Sequence, residues 1–393
     1  TKNINKRLMS GMNILFVSHK FLPFIGGTEM HVYEAGRRLV ELGHRLTVLT
    51  ADPSGTLPRE EMVAGMRVRR VRAYPRTSDV FFAPGILREV ARENWDIIHV
   101  QGIHTFVPAF AMLAAVRRST PFVVTFHSGG HSSRLRNLIR TLQFRLLRPL
   151  VVRADRLIGV SRFEAERFSH EFGISPGGIV VVPNGAEIDT PHVVAQRDPD
   201  APLIVSVGRL ERYKGHQRAI AAFAEIVKAR PGARMRVLGE GPYGPDLARL
   251  VEELGLSDRV TIGGVPPAER SKMGEILSSA AVVLLLSDYE AHPVAALECV
   301  SLGRPVIATY ASGFIEMVDE GLLRGVAADA SPRTVAAMAI EEIDRPARST
   351  PSIPVRGWDD CADALLGVYA DVLAKRARPR RAIPIETVLS DRS

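Results

Sequence analysis

Apolar runs of strand length alternate with segments of helical period along most of the chain. This alternation is typical of a parallel sheet covered by helices on both faces. In the first half the predicted strands are Asn13–Ser18, Arg45–Thr50, Arg67–Ala73, Asp96–Gln101, Phe122–Phe126, Arg156–Val160 and Ile179–Val182. Helical segments lie between most of these strands, so we predict an α/β fold.

A break in composition divides the chain into two such series. Residues Ile188–Pro202 are rich in Pro and Asp and carry no sustained period, which indicates a linker. The alternation resumes in strands predicted at Leu203–Val207, Arg234–Leu238, Val260–Ile262, Val282–Leu286, Val306–Thr309 and Val326–Ala328. We therefore predict two doubly wound Rossmann-like domains that face one cleft, because ligands bind beyond the carboxyl ends of such strands.

The predicted domains are 12–187 and 188–356. A helix at 357–376, with Leu365 and Tyr369 on its apolar face, is expected to cross back to the first domain. Residues 377–393 are interpreted as a tail without a function. The first eleven residues lack an apolar signal core, and we expect the natural start at Met12.

Composition narrows the class of protein. Only Cys299 and Cys361 occur, which excludes a disulfide framework or a four-cysteine zinc site and favours the reducing cytoplasm. No apolar run reaches the roughly 20 residues of a membrane-spanning helix. The net charge is +8, and residues 1–195 hold 26 Lys and Arg against 16 Asp and Glu. No nucleic-acid-binding motif accompanies this excess, so we expect no nucleic-acid partner.

Three local motifs carry candidate chemistry. Gly26 and Gly27 precede a helix predicted to begin near Thr28 or Glu29, and bare N–H groups at a helix start bind anions. Arg209 and Lys214 follow the first strand of the second series and are suited to gripping a diphosphate. Alone, the glycine pair fits an ordinary tight turn as well as an anion site, whereas the pair of cations fits a solvated loop better.

A pair of carboxylates forms the third motif. Glu290 follows an apolar strand, and Glu298 lies one to two turns into a helix predicted to start near His292 or Pro293. This spacing directs both carboxylates to one cleft, where they can accept hydrogen bonds from hydroxyls of a sugar or a ribose. A pair of surface charges is the simpler explanation of the spacing alone.

The three motifs together, in this order, resemble the family 4 glycosyltransferases of GT-B fold. Further matching segments are VVTFHS, ADRLIGVS, VVPNGAEID, VLGEGP and SGFIEMV, and the resemblance covers Met12 to about Ala374. It implies a retaining, metal-independent transfer from a nucleotide-diphosphate sugar to a hydroxyl of a glycan, a lipid-linked acceptor or a small molecule. No bound cofactor is implied beyond the donor.

The resemblance also implies roles for individual residues. Arg209 and Lys214 would neutralise the diphosphate, Glu290 would hold a hydroxyl of the donor sugar, and His127 would line the sugar site. The other donor-binding candidates are Gly26, Gly27, Gly208, Val294, Ala295 and Glu298, of which Glu298 would hold the ribose. His104 and Ser161 are candidates for acceptor binding.

No metal site is expected from the sequence. The only D-x-D motif, Asp198 and Asp200, lies in the predicted linker and is interpreted as turn chemistry. Ala291 and His292 replace the small-then-aromatic pair usual in the family. This departure is consistent either with an unusual donor sugar or with neutral drift.

The sequence leaves two other functions open. A GT-B protein that binds nucleotide sugars without catalysis is one alternative. An NAD(P)-dependent oxidoreductase is the other, because Gly239, Gly241 and Gly244 form a G-x-G-x-x-G. That motif follows a later strand of its unit rather than the first, and Pro242 lacks an N–H for a pyrophosphate, so the oxidoreductase is disfavoured.

The segment Arg134–Arg156 contains seven Arg and many Leu. Such a segment is consistent with a peripheral contact with anionic lipid at the inner membrane face. An ordinary helix with an apolar stripe and a basic solvated face explains it as well, and we favour that interpretation.

Overall fold

The computed structural model describes residues 11–24, 26–75, 82–127, 134–175, 177–188, 198, 200–266, 269–345 and 355–377, and it gives the backbone alone for 134–141. Apart from Ala377, the predicted tail therefore lies outside the described residues. Most of the predicted linker at 188–202 also lies outside them.

The first half forms an eight-stranded sheet in the order β3-β4-β2-β1-β5-β6-β7-β8. Its strands are β1 (Asn13–Ser18), β2 (Arg45–Asp52), β3 (Glu60–Val63), β4 (Met66–Arg72), β5 (Ile97–Gln101), β6 (Phe122–Thr125), β7 (Arg156–Gly159) and β8 (Ile179–Val181). All neighbouring strands are parallel except β3 and β4. Because β1 lies between β2 and β5, the strand order reverses there and opens a crevice at its carboxyl end.

The second half repeats this plan with six parallel strands in the order β11-β10-β9-β12-β13-β14. They are β9 (Leu203–Val207), β10 (Arg234–Leu238), β11 (Val260–Gly263), β12 (Ala280–Leu285), β13 (Val306–Thr309) and β14 (Arg324–Val326). The order reverses at β9. The predicted class, α/β with two doubly wound Rossmann-like units, is confirmed.

Helices cover both faces of each sheet. They are α1 (Gly27–Glu41), α2 (Gly85–Ala91), α3 (Phe106–Arg118), α4 (Arg134–Val151), α5 (Arg162–Phe172), α6 (His216–Ala229), α7 (Gly244–Glu253), α8 (Arg270–Ser279), α9 (Val294–Ser301), α10 (Phe314–Asp319), α11 (Pro332–Asp344) and α12 (Trp358–Ala377). Side chains alternate across β1, so that Leu15 and Val17 join the core on one face while Ile14 and Phe16 join the core on the other.

Two strand predictions need correction. The strand β3 was not predicted, because its alternately exposed sequence EEMV is short and polar. It pairs with β4 through a tight turn in which Ala64 and Gly65 both have positive φ. The last strand was predicted at Val326–Ala328 but spans Arg324–Val326, since it pairs in register with β13 through Val326 and Thr309.

The helix α12 packs against the first sheet rather than the second. Trp358 and Tyr369 are 1% and 0% exposed and share a core with Ile14 and Phe16. The hydroxyl of Tyr369 lies 2.6 Å from Nδ1 of buried His99, whose Nε2 lies 2.6 Å from Oγ1 of Thr125. These buried hydrogen bonds, from Tyr369 through His99 to Thr125, thus fix the position of α12 against the sheet.

The chain passes between the halves twice, and the two passages lie next to each other at Ala186 and Arg356. The N–H of Ala186 donates to the carbonyl of Arg356 at 3.0 Å. The guanidinium of Arg38, which is 4% exposed, contacts the carboxylates of Glu34, Glu187 and Asp359. One buried cation therefore joins α1, the passage that leaves the first half, and the start of α12.

The close approach of these two passages predicts the effect of adding one methyl group. A Cβ on Gly185 would lie 2.5 Å from the carbonyl carbon of Gly357. We expect Gly185→Ala to lower the free energy of unfolding by about 1–3 kcal/mol, the usual cost of overpacking. The matched control is Gly367→Ala in α12, where a Cβ meets nothing within 4 Å. Urea unfolding of both variants checks this, and equal midpoints would contradict the packing.

Candidate functional site

The loop after β9, which carries Arg209, forms the base of the candidate site. Gly208 has a φ of +149°, and its N–H donates to the carbonyl of Leu238 at 2.9 Å. The N–H of Leu210 donates to the carbonyl of Glu240 at 2.9 Å. A Cβ on Gly239 would overlap the carbonyl oxygen of Gly208. The loop that bears Arg209 is therefore held against the loop after β10.

These contacts give the G-x-G-x-x-G motif a structural explanation. A Cβ on Gly241 would lie 2.5 Å from the carbonyl oxygen of Leu210, and one on Gly244 would lie 3.3 Å from Cδ1 of Leu210. All three glycines of the motif thus permit close packing against the Arg209 loop. Nothing in this arrangement calls for a dinucleotide.

Lys214 and Glu290 lie together above this base. Nζ of Lys214 donates to Oε1 of Glu290 at 2.6 Å, and Oγ of Ser287 donates to the same oxygen at 2.8 Å. The N–H of Glu290 donates to Oγ of Ser312 at 2.8 Å. Both side chains of the pair are largely buried, at 17% and 14% exposure. The charge of Lys214 is therefore fixed in position rather than spread over rotamers.

Arg209 is exposed and makes a looser contact, from Nη2 to the hydroxyl of Tyr213 at 3.1 Å. Its backbone is held from below by His216. Nε2 of His216 lies 3.2 Å from the carbonyl oxygen of Arg209, and its Nδ1 lies 2.9 Å from Oγ of Ser206. Burial lowers the pKa of His216 to about 4, so this imidazole is neutral at physiological pH.

Glu298 is buried at 6% exposure on α9 and contacts the guanidinium of Arg270, the first residue of α8. Burial raises the pKa of Glu298 to about 7, although the charge of Arg270 opposes the shift. Val294 and Ala295 are the first two residues of the same helix α9. As the first two residues of the helix, they have N–H groups without an acceptor inside it.

The first half contributes the start of α1. Gly26 is its extended N-cap residue and Gly27 its first residue, two positions earlier than Glu29. A Cβ on Gly26 would lie 2.5 Å from Oε2 of Glu29, whereas Gly27 is exposed with nothing nearby. Burial raises the pKa of Glu29, and Arg209 from the second half opposes this shift. The carboxylate of Glu29 in the first turn of α1 therefore lies near enough to Arg209 of the second half for their charges to interact.

His127 and His104 lie at the carboxyl edge of the first sheet. Nε2 of His127 lies 2.7 Å from Oε1 of Gln101, and Nε2 of His104 lies 2.6 Å from the carbonyl oxygen of His127. Burial, with His31 beside it, holds the pKa of His127 well below its usual range. Ser161 is 1% exposed and its Oγ accepts from the N–H of Glu164 at 3.1 Å, which caps α5. The hydroxyl of Ser161 thus has a structural task.

Contacts between the halves bring these groups together. Oδ1 of Asn184 lies 2.9 Å from Nδ1 of His31, and its Nδ2 donates to the carbonyl of His292 at 2.9 Å. In a second contact between the halves, Glu316 of α10 accepts from the N–H of Phe163 at 2.5 Å. These contacts join loops at the edge of the second sheet to loops at the edge of the first.

Several polar residues of the site were not singled out from the sequence. Ser287 directly follows a predicted strand, so its position at the sheet edge was open to prediction. Arg270, Glu29 and His31 reach the site only through packing between distant segments, and no local pattern marks them. Asn184 was noted as a motif residue but without its role between the halves.

The described residues contain neither a metal-ligand cluster nor a membrane-spanning helix. No group of three or more His, Cys, Asp or Glu in this part of the chain is arranged to hold a metal ion. Oδ1 of Asp198 accepts from the N–H groups of Asp200 and Ala201, a turn as predicted. No described helix is long and apolar enough to span a bilayer.

Comparisons with known proteins agree with this architecture. The sequence model described as Glycosyltransferase Family 4 matches residues 25–190, and that described as Glycosyl transferases group 1 matches residues 188–345. The chain belongs to this family of GT-B glycosyltransferases, so the family indicated by the motifs is confirmed.

Individual proteins similar to this chain share less than a third of their residues with it. D-inositol 3-phosphate glycosyltransferase of Nocardiopsis dassonvillei is 28% identical, over 91% of this chain and 92% of the relative. Among solved structures, sucrose-phosphate synthase of Thermosynechococcus elongatus has a TM-score of 0.71 at 19% identity, covering 92% of this chain and 99% of that one. HepE of Anabaena, in complex with UDP and glucose, has a TM-score of 0.67 at 18% identity, covering 93% and 98%.

The buried imidazole of His216 predicts a loss of stability in acid. Its pKa is about 4 in the folded protein and 6.5 ordinarily, so unfolding takes up a proton between these values and stability falls as the pH drops from 6.5 to 4. The free energy of unfolding falls over this pH range, and we expect His216→Gln to reduce that fall by about 3 kcal/mol. Urea unfolding across pH measures it, and the exposed His170→Gln is the control. A fall of unchanged size in His216→Gln would contradict the assignment.

Proposed function

We propose that the protein transfers a glycosyl group from a nucleotide-diphosphate sugar to an acceptor hydroxyl. The proposal is supported by the position of Arg209 and Lys214 after β9 and of Glu290 and Glu298 after the neighbouring strand β12, with Lys214 paired to Glu290. In this proposal residues 188–356 bind the donor and residues 12–187 bind the acceptor. HepE was solved with UDP, which makes UDP the first nucleotide to test.

The donor groups divide by chemistry. Arg209, Lys214 and the N–H groups of Val294 and Ala295 face the diphosphate, with Gly208, Gly26 and Gly27 allowing close backbone approach. Glu298 accepts from the ribose hydroxyls and Glu290 from a hydroxyl of the donor sugar. Preorganised cations and helix N–H groups stabilise the charge that develops on the leaving diphosphate. His127, neutral through its lowered pKa, lines the sugar site without adding charge.

The proposed stereochemistry is retention, by a same-face reaction without a metal. The bond from the anomeric carbon to the phosphate oxygen breaks, the acceptor oxygen bonds to that carbon, and the acceptor proton passes to the leaving phosphate. Arg209 and Lys214 supply the positive charge that a divalent ion supplies elsewhere. An inverted product, a trapped glycosyl-enzyme adduct or loss of activity in a chelator would each overturn part of this mechanism.

The acceptor is proposed to be anionic. Residues 1–195 carry the whole positive excess of the chain, with 26 Lys and Arg against 16 Asp and Glu. D-inositol 3-phosphate glycosyltransferase of Nocardiopsis dassonvillei is named for a substrate that bears a phosphate. His104 is placed beside His127 for contact with the acceptor, whereas Ser161 contributes through α5. We place this reaction in the cytoplasm, which agrees with two buried free cysteines.

The direct test is Lys214→Ala. We expect kcat/KM for transfer to fall by roughly two orders of magnitude or more, as the loss of one charge-stabilising donor does. A thermal-shift screen of nucleotide diphosphates and their sugars first identifies the donor for this assay. The control is Lys228→Ala at the exposed end of α6, where Lys228 pairs with Glu225 at 2.7 Å.

A double variant separates two roles of Lys214. If the lysine serves only to neutralise Glu290, the double variant Lys214→Ala with Glu290→Gln is as active as Glu290→Gln alone. If Lys214 grips the diphosphate, the double variant is less active than Glu290→Gln alone. Unchanged kinetics in Lys214→Ala would contradict the proposal. Donor binding without transfer or hydrolysis in the wild type would favour the alternative of a catalytically inactive binding protein.

Peripheral contact with an anionic membrane is a second proposal, and it rests on α4. Phe144, Leu147 and Val151 of this helix are buried, which is the ordinary core stripe. Leu142 and Leu146, however, are 59% and 71% exposed on its outer face. Exposed Arg145 lies beside them. Apolar side chains bordered by arginines suit the boundary between headgroups and acyl chains.

Vesicle sedimentation tests this contact. We expect wild-type protein to sediment with phosphatidylglycerol vesicles at low salt and less so at high salt, because screening weakens attraction between charges. Replacing Leu142 and Leu146 by Gln should abolish sedimentation. Leu254→Gln, which removes a leucine 40% exposed in the second half, should not. Vesicle binding that changes neither with salt nor with the α4 substitutions would refute the proposal.

A further inference from the structure

Arg270 and Glu298 form an ion pair that the proposed roles leave unexplained. Nη2 of Arg270 contacts Oε1 of Glu298, and no described hydrogen bond uses Oε2 of that carboxylate. Arg270 is 28% exposed and Glu298 7% exposed at the side chain. The arginine therefore lies at the rim of the site and the carboxylate beneath it.

We propose that Arg270 is a positioning residue for the donor nucleotide, which holds one oxygen of Glu298 and thereby presents the other to a ribose hydroxyl. The inference rests on the proposed function, in which Glu298 binds the ribose. A carboxylate that accepts on both oxygens can serve a guanidinium and a hydroxyl at once. Without the guanidinium the side chain loses the contact that fixes its rotamer.

The charges around Glu298 support this assignment. Taking a carboxylate out of water is costly unless a partner compensates. Glu34 of α1 faces Glu298 from the first half and raises its pKa, and the thiol of Cys299 on the same helix is neutral because burial raises its pKa. Arg270 is the cation that opposes these effects. Its loss would raise the pKa of Glu298 above about 7, so more of the carboxyl would be protonated at neutral pH.

Direct contact of Arg270 with the nucleotide is the competing explanation. An arginine at the rim of the site can also bind a phosphate or the edge of a base. The two explanations differ in what happens when the ribose hydroxyls are removed. An effect transmitted through Glu298 needs the hydroxyl, whereas a direct contact with phosphate or base does not.

The experiment measures binding of UDP, 2′-deoxy-UDP and 3′-deoxy-UDP by calorimetry between pH 6 and pH 9. We expect Arg270→Ala to weaken UDP on the order of tenfold at pH 7, which corresponds to one pKa unit, and less at pH 9, where Glu298 is ionised without help. With at least one deoxy nucleotide, the wild type and Arg270→Ala should bind alike. Arg270→Lys should recover part of the affinity at pH 7 by restoring the charge.

The control is Arg249→Ala on the outer face of α7, which should bind all three nucleotides as the wild type does. Equal weakening of UDP and both deoxy nucleotides by Arg270→Ala would overturn the inference in favour of direct contact. Unchanged UDP binding and an unchanged pH profile would overturn it in favour of a surface pair. If the wild type binds neither UDP nor ADP nor GDP, both the proposed function and this inference fail.

Discussion

Pairing of buried acidic side chains with cations is the interaction on which the candidate site depends. Lys214 holds Glu290 and Arg270 holds Glu298, in each case where little water reaches the carboxylate. Taking a carboxylate out of water is costly unless a cation compensates. Each cation therefore stabilises the acid beside it and fixes the position of that side chain at the edge of the second sheet.

The backbone beneath these pairs is fixed by glycine contacts. The loops after β9 and β10 approach so closely that no side chain fits at Gly239. His216 reinforces the same loop through the carbonyl of Arg209, at 3.2 Å from its Nε2. Arg209 and Lys214 thus project from a rigid base although one of them is exposed. A preorganised cation stabilises developing charge without reorganising during the reaction.

The sequence predicted the parts of this structure that local patterns determine. Strands such as β1 and β9 are buried on both faces, so their sequences are continuous apolar runs. The loop after β9 was recognised from its glycines and neighbouring cations. The strand β3 was missed because it is short, polar and turned by Ala64 and Gly65. Pairings between distant residues were also missed, since Lys214 and Glu290 are 76 positions apart and no local rule selects a partner at that distance.

The return of α12 to the first sheet has a consequence for biosynthesis. Trp358 and Tyr369 complete a core whose other members include Met12 and Phe16 near the opposite end of the sequence. While a ribosome is still making the second half, that core lacks its covering helix and shows apolar surface to the surroundings. The earlier-made half of the molecule therefore reaches its final form only after translation has passed Tyr369, so the two halves mature in the reverse of the order in which they are made.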